Sequence, residues 1–340
     1  MTGAENAREM GIRAGDSWAR LRRLMRDRPI LPLIALLVVL VIILELVRPG
    51  IVLGVGDQLF NQIWVSATLR QAIPLAILAA CQTLTMLTGG IDLSVGMVAS
   101  LGAFVMFNQA PADGALIAVI LGLAAAAAIG LINGIGVGVF RVHPLIMTLA
   151  MGLVVLGLVT VYQLVMMAAG PRVPAEVVWV AGGTSFGFVP NGLLVFVPLA
   201  GVILYALRRT GYGRLLYAIG DNEGAARLAG VRVWQVLIVL YVISAVLAGI
   251  AGIMYAGITR IASPALAEGF LLPSVAAAVI GGTSIYGGRG GYAGSIVGAI
   301  ILTVLISLLT VLQMPEASRQ ILFGAIVLLV AAAYARITEE

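Results

Sequence analysis

The chain contains no lysine. All twenty of its basic residues are arginine, which excludes the lysine of a phosphate-cradling P-loop and the lysine of a Schiff base, and no G-x-x-x-x-G-K-[ST] pattern occurs. Cysteine and histidine are almost missing too. The single cysteine, Cys81, rules out an internal disulfide and a cysteine-rich metal site, and its apolar surroundings point to packing. The single histidine, His143, lies between Arg141 and Pro144 with no carboxylate beside it, which fits a loop or helix start better than a metal ligand. A catalytic constellation is not assembled from one histidine, one cysteine, no lysine and no close pair of acids in the apolar segments. Charge of either sign is scarce: 10% of the 340 residues are charged and 61% are hydrophobic. That composition is too apolar for a soluble core and belongs to a polytopic membrane protein. The net charge of +5 is not gathered with aromatic residues on one face or arm, so no nucleic-acid partner is expected.

What the chain does have is a succession of apolar runs. The expected fold is an all-α membrane helix bundle of about ten spans, near residues 30–47, 71–89, 94–110, 114–139, 144–169, 190–207, 233–257, 270–287, 291–313 and 318–336. Residues 1–29 form a cytoplasmic N-terminal tail, 30–336 the membrane domain with a cytoplasmic loop at 208–232, and 337–340 a C-terminal tail. Asp57–Arg70, mixed in polarity and carrying Trp64, is read as an interfacial segment. With the N-terminus inside, the inner arginines are seven in the tail, Arg141, five from Arg208 to Arg232, Arg289 and Arg336. The outer set is Arg48, Arg70, Arg172, Arg260 and Arg319. The asymmetry predicts both termini in the cytoplasm. Residues 171–189, with proline, glycine and Thr184-Ser185, form a surface loop or short hairpin that either meets an external partner or only joins two spans.

One charge interrupts the apolar stretch from Ile73 to Phe107. It lies in Thr88-Gly89-Gly90-Ile91-Asp92-Leu93-Ser94-Val95-Gly96. An aspartate at the centre of a membrane helix costs about 3 kcal/mol, and dense glycine weakens the helix further. Gly89, Gly90, Asp92, Ser94 and Gly96 are therefore the candidate helix-break or gating set. Three readings of Asp92 stay open: capping the helix that begins near Leu93, holding a neighbouring span through a buried hydrogen bond, or contacting a solute.

The inner segment from Arg208 to Arg232 is the long polar interval of the chain. Gly211, Gly213 and Gly220 allow bends, Asp221 or Asn222 can cap a helix, and Glu223-Gly224-Ala225-Ala226-Arg227-Leu228-Ala229 reads as a short helix closed by Gly230. Glu223 and Arg227, four apart, either support that helix or pair with another chain.

Together with the 88–96 segment, the pattern Asn133-Gly134, the run from Tyr217 to Gly230 and Gly281-Gly282-Thr283-Ser284-Ile285-Tyr286-Gly287-Gly288-Arg289-Gly290 resemble the ribose-type permeases of bacterial ABC importers, over roughly residues 30–336. The resemblance implies a multi-pass permease of the bacterial inner membrane that binds no cofactor itself, with ATP and Mg used by a cytoplasmic ABC ATPase. It also implies a periplasmic sugar-binding protein and a second permease, identical or related. By position it places ATPase coupling on Asn222, Glu223, Gly224, Ala225, Ala226, Arg227, Leu228 and Ala229. The expected solute is a monosaccharide or related polyol. Candidate pathway residues are Gln82, Thr83, Thr85, Asn133, Thr148 and Gln163, whose amides and hydroxyls can exchange hydrogen bonds with a sugar or, equally, tie helices together. The Gly281–Gly291 run reads as a close-packing turn. The alternative function is an ion-coupled secondary transporter, which also uses broken helices and buried acids.

Overall fold

Helix α1, Ile30–Val47, is apolar on every side, with a mean hydropathy of 3.2 and Leu44 its one buried residue, as expected of a helix facing lipid. These are the first residues placed by the structure, a computed structural model that describes residues 30–54, 60–165, 172–315, 317–325 and 328. The carboxylate of Glu45 turns back on the chain beyond α1 and accepts from the amides of Gly50, Val52 and Leu53. Asn61 then caps α2 (Gln62–Leu87) by accepting from the Trp64 amide at 3.1 Å.

The bundle is organised about two helices. Every residue of α2 from Ala72 to Leu87 is buried. Beyond α3 (Val95–Asp113), α4 (Ala115–Gly138), α5 (Pro144–Val165), the short α6 (Ala175–Gly182), α7 (Leu193–Arg209), α8 (Gly211–Asp221) and α9 (Glu223–Leu228) comes α10 (Val233–Thr259), which packs against α2, α3, α4 and α6. A 3-10 turn at Glu268–Phe270 leads into α11 (Leu271–Ile280), and α12 (Tyr292–Val311) closes the bundle against α1, α2 and α11. Residues 317–325 are helical again.

Small residues set the helix spacing. Every fourth residue of α4 from Gly122 to Gly138 is glycine or alanine, and this stripe faces α3 and α10. A Cβ on Gly130 would lie 2.5 Å from the Tyr241 carbonyl oxygen, and one on Gly134 2.7 Å from Ile238 Cα. Apolar helices in lipid gain little from hydrophobic burial against each other, so association relies on such close backbone approach.

Among the described residues, seven helices are long and apolar enough to cross a membrane, or eight if α7 and α8, bent by 66°, count as one span. The expectation of ten differs for three reasons. The 270–287 run contains only the ten residues of α11, about 15 Å of helix against a hydrocarbon core of about 30 Å. The 190–207 run is the first arm of the bent pair. The 318–336 run lies mainly outside the described residues, as do the tails 1–29 and 337–340. Asp57–Arg70 is not an element of its own: from Gln62 onward it is the start of α2, with Ser66 and Thr68 buried and Ile63 exposed. Gly213 and Gly220 lie within the helix α8 instead of bending it, and the chain turns at Thr210. Residues 184–190 form a two-stranded antiparallel hairpin, Thr184–Ser185 against Val189–Pro190, that presents Phe186 at 93% exposure.

Candidate functional site

Between α2 and α3 the chain runs without helix through Gly89–Leu93, and neighbours close on it from several sides. Gly89, at φ +78°, passes the Tyr286 carbonyl. Gly90 is wedged between Pro144 and the Tyr241 hydroxyl. A Cβ on Gly96 would approach the Ala267 carbonyl oxygen to 2.9 Å. Asp92, 2% exposed, accepts at Oδ1 from the Ser94 amide at 2.9 Å and the Ser94 hydroxyl at 2.6 Å, and at Oδ2 from the Ser244 hydroxyl of α10 at 3.3 Å. Ser94 is the N-cap residue of α3 and makes no side-chain cap bond of its own. The aspartate thus orders the turn before α3 and ties it to α10 through a buried hydrogen bond, while the N-cap position of α3 itself belongs to Ser94.

The pathway candidates divide in the structure. Gln82 Nε2 donates to the Asp92 carbonyl at 2.8 Å, Asn133 Nδ2 to the Ser94 hydroxyl at 3.0 Å, and Thr148 Oγ1 accepts from the Leu93 amide at 2.9 Å. These three residues hold the break. Thr83 meets Ser295 of α12 at 2.6 Å, Thr85 donates to the Cys81 carbonyl within α2, and Gln163 lies half-buried on α5. Gln82 Oε1, Asn133 Oδ1 and the Tyr241 hydroxyl find no hydrogen-bond partner among the described residues. No group of histidine, cysteine or acid side chains among the described residues could hold a metal ion.

Three glycine-bearing segments meet beyond the end of α2. Gly220, near the end of α8, lies so close to the Leu87 carbonyl that a Cβ would collide with it. Gly287 approaches Gly220 and the Gly89 amide, and the Gly288 amide donates to the Leu87 carbonyl at 3.0 Å. The Tyr217 hydroxyl of α8 donates to the Gly290 carbonyl at 3.0 Å. The 281–291 loop is therefore clamped between α2 and α8, with φ positive at Gly282, Gly287, Gly288 and Gly290. Immediately after this junction Asn222 caps α9, its Oδ1 accepting from the Ala225 amide at 2.9 Å. Glu223 and Arg227 form an ion pair along the helix, Ala226 is buried, and Leu228 is 93% exposed. A six-residue helix thus presents an apolar tip while its base is rigidly connected to the break.

At the opposite end of α2 lies a cavity of about 590 Å³. Trp64, Ala67, Thr68, Gln71 and Leu75 supply one face of α2, while Thr303, Ile306, Ser307 and Thr310 supply one face of α12. None of the six pathway candidates lines it. The signal in the sequence was the recurrence of these positions every three or four residues, obscured by the reading of 57–70 as interfacial.

A family model described as "Branched-chain amino acid transport system / permease component" matches residues 64–331. The chain belongs to this family. Its relatives include the ribose import permease protein RbsC of Escherichia coli K12, 34% identical over 306 residues, 87% of this chain and 90% of that one. The fructose import permease protein FrcC of Rhizobium meliloti is 34% identical over 281 residues, 78% of this chain and 75% of its own. RbsC of Bacillus subtilis is 31% identical over 304 residues, 86% and 88% respectively. No solved structure matches. The range matched by this permease family spans most of the bundle, including the break and the 281–291 loop.

Proposed function

We propose that this permease is the membrane-spanning subunit of an ABC importer, carrying a monosaccharide or related polyol across a bacterial inner membrane with energy from a cytoplasmic ATPase that uses ATP and Mg. Its relatives of similar length are ribose and fructose import permeases. The observation that carries the coupling role is the junction of Leu87, Gly220 and Gly288, because it joins the exposed α9 to the break by backbone contacts. Asn222–Ala229 is then the element that docks on the ATPase, and a push on α9 moves α2 and the 281–291 loop together as a rigid body. Gly89, Gly90, Asp92, Ser94 and Gly96 form the gate, where a partly satisfied buried polar cluster can exchange partners as helices shift.

In this reading both termini are cytoplasmic and ten segments enter the membrane, with α7, the α11 half-span and the 318–336 run completing the count. A periplasmic sugar-binding protein docks on the outer hairpin, and a second permease, identical or related, completes the pathway.

Co-purification with the ATPase and sugar uptake by the reconstituted complex test the proposal. Leu228→Glu is expected to leave the chain folded but to reduce ATPase recovery by about tenfold, as loss of a central apolar contact does. Uptake by the purified chain alone, driven by a proton gradient, would instead establish the ion-coupled alternative.

A further inference from the structure

We infer that the oxygens gathered at the helix break bind a single monovalent alkali cation, held between Asp92, Gln82, Asn133 and Tyr241. The inference goes beyond the importer reading and depends neither on it nor on the identity of the solute.

Unpaired oxygens are the starting point. Gln82 is 0% exposed and Asn133 and Tyr241 are each 1% exposed, yet Gln82 Oε1, Asn133 Oδ1 and the Tyr241 hydroxyl find no hydrogen-bond partner among the described residues. A polar atom buried in that state bears the full cost of its lost hydration, so three of them together call for a ligand. The network fixes which atom of each amide is left over. The Asp92 backbone carbonyl can only accept, so the nitrogen of Gln82 must face it. The Ser94 hydroxyl donates to Asp92 Oδ1 at 2.6 Å and therefore accepts from the Asn133 nitrogen. In both amides the carbonyl oxygen is the free end.

These atoms belong to one cluster. Gln82 bonds the backbone of Asp92 itself, and Asn133 reaches the Asp92 carboxylate through the Ser94 hydroxyl alone. Tyr241 and Ser244 are three apart on α10 and so share a face. From that face Ser244 reaches Asp92 Oδ2 at 3.3 Å, while a Cβ on Gly90 would stand 3.2 Å from the Tyr241 hydroxyl. Asp92 Oδ1 accepts two hydrogen bonds, whereas Oδ2 receives only this long one and keeps a lone pair available.

Charge decides the ligand. The donors to Asp92 are an amide and two hydroxyls, all neutral, so no basic side chain bonded to it offsets its charge. A carboxylate kept out of water without a counter-charge is costly. A water molecule could donate to both amide oxygens and accept from the phenol, but it would leave that charge as it is. A cation can meet the same oxygens and neutralise the carboxylate as well. Carboxylate and carbonyl oxygens are the donors that hard cations take, and a single carboxylate balances a single positive charge. Calcium usually takes more oxygens and more carboxylates, magnesium keeps several of its waters, and no larger group of acids or histidines is present among the described residues. Sodium or potassium is the match. Bound there, the ion joins α2, the break, α4 and α10, the elements that bring its ligands.

Thermal unfolding of the purified full-length permease tests this, with choline chloride replaced stepwise by sodium or potassium chloride at constant ionic strength so that screening does not change. Sodium or potassium is expected to raise the unfolding temperature in a saturable way, as a ligand of the folded state does. Equilibrium dialysis with radioactive sodium, or with rubidium standing in for potassium, should approach one ion per chain. Tyr241→Phe, which removes one oxygen and keeps the shape, should raise the half-saturating concentration about tenfold, the scale on which loss of a supporting group weakens a metal site. Asp92→Asn, which removes the charge, should abolish the response; if that variant does not fold, Tyr241→Phe alone decides. Equal unfolding temperatures in sodium, potassium and choline with no ion retained would overturn the inference and assign the unpaired oxygens to water. A response undiminished by either substitution would place the ion elsewhere and overturn the site.

Discussion

Asp92 is tolerated in an apolar bundle because three donors converge on it, two from Ser94 and one from Ser244. Truncation to alanine leaves those donors buried and unpaired, each at about 1–3 kcal/mol. Asp92→Ala is therefore expected to lower the unfolding temperature of the purified complex clearly. Asp92→Asn, which keeps one acceptor oxygen for Ser94, should lower it less. A thermal melt of Asp92→Ala that overlays the wild type would sink this account. Altered sugar selectivity in an intact, normally coupled Asp92→Asn complex would show instead that the carboxylate reads the solute. The sequence pointed to the acid and to the helix starting beside it. Ser244, 152 positions away, carried no local signal, since a serine within a span looks the same whether it faces lipid or a carboxylate.

At the scale of elements, two kinds of glycine need separating. Gly134 of α4 brings its backbone against Ile238 of α10, whereas Gly157 of α5 has nothing within 4 Å of where a Cβ would stand. Gly134→Val should destabilise the protein by about 1–3 kcal/mol through forced separation of two packed helices. Gly157→Ala should be neutral or stabilise by up to about 1 kcal/mol through helix propensity. Thermal unfolding of the two variants side by side checks this, and equal effects would remove the packing role assigned to the α4 stripe. Periodicity made the long helices legible, whereas α8 was not: its glycines read as bends from sequence, yet they are what lets α8 approach α2 and the end of α7.

For the whole molecule, the proposed orientation, which follows the arginine distribution, puts the α9 end in the cytoplasm and the hairpin end outside. Phe186 and Leu228 are both 93% exposed, and each replaced by cysteine makes a side-specific reporter over the silent, buried Cys81. In intact cells a membrane-impermeant maleimide should modify Phe186→Cys readily and Leu228→Cys only after permeabilisation. The reverse pattern would invert the orientation and remove the docking role from α9. Number of crossings and sidedness are properties of the chain in its bilayer, which is why charge asymmetry addresses them and helix packing does not.

The sequence by itself determined that this is a membrane bundle without nucleotide-hydrolysing machinery of the P-loop kind, that its apolar helices are broken at Gly89–Leu93, and that a short capped helix follows Asn222. Each of these depends on composition or on neighbours within a few positions, where hydropathy, capping and turn chemistry act. The tertiary structure alone decided that Gln82, Asn133 and Thr148 bind the break, that the glycines of three distant segments form one junction, and that α2 and α12 enclose a cavity. Those facts depend on which faces of distant helices meet. Helix approach in lipid is governed by the fit of small residues and by which polar groups find partners, summed over the bundle, and no single stretch of sequence contains that sum.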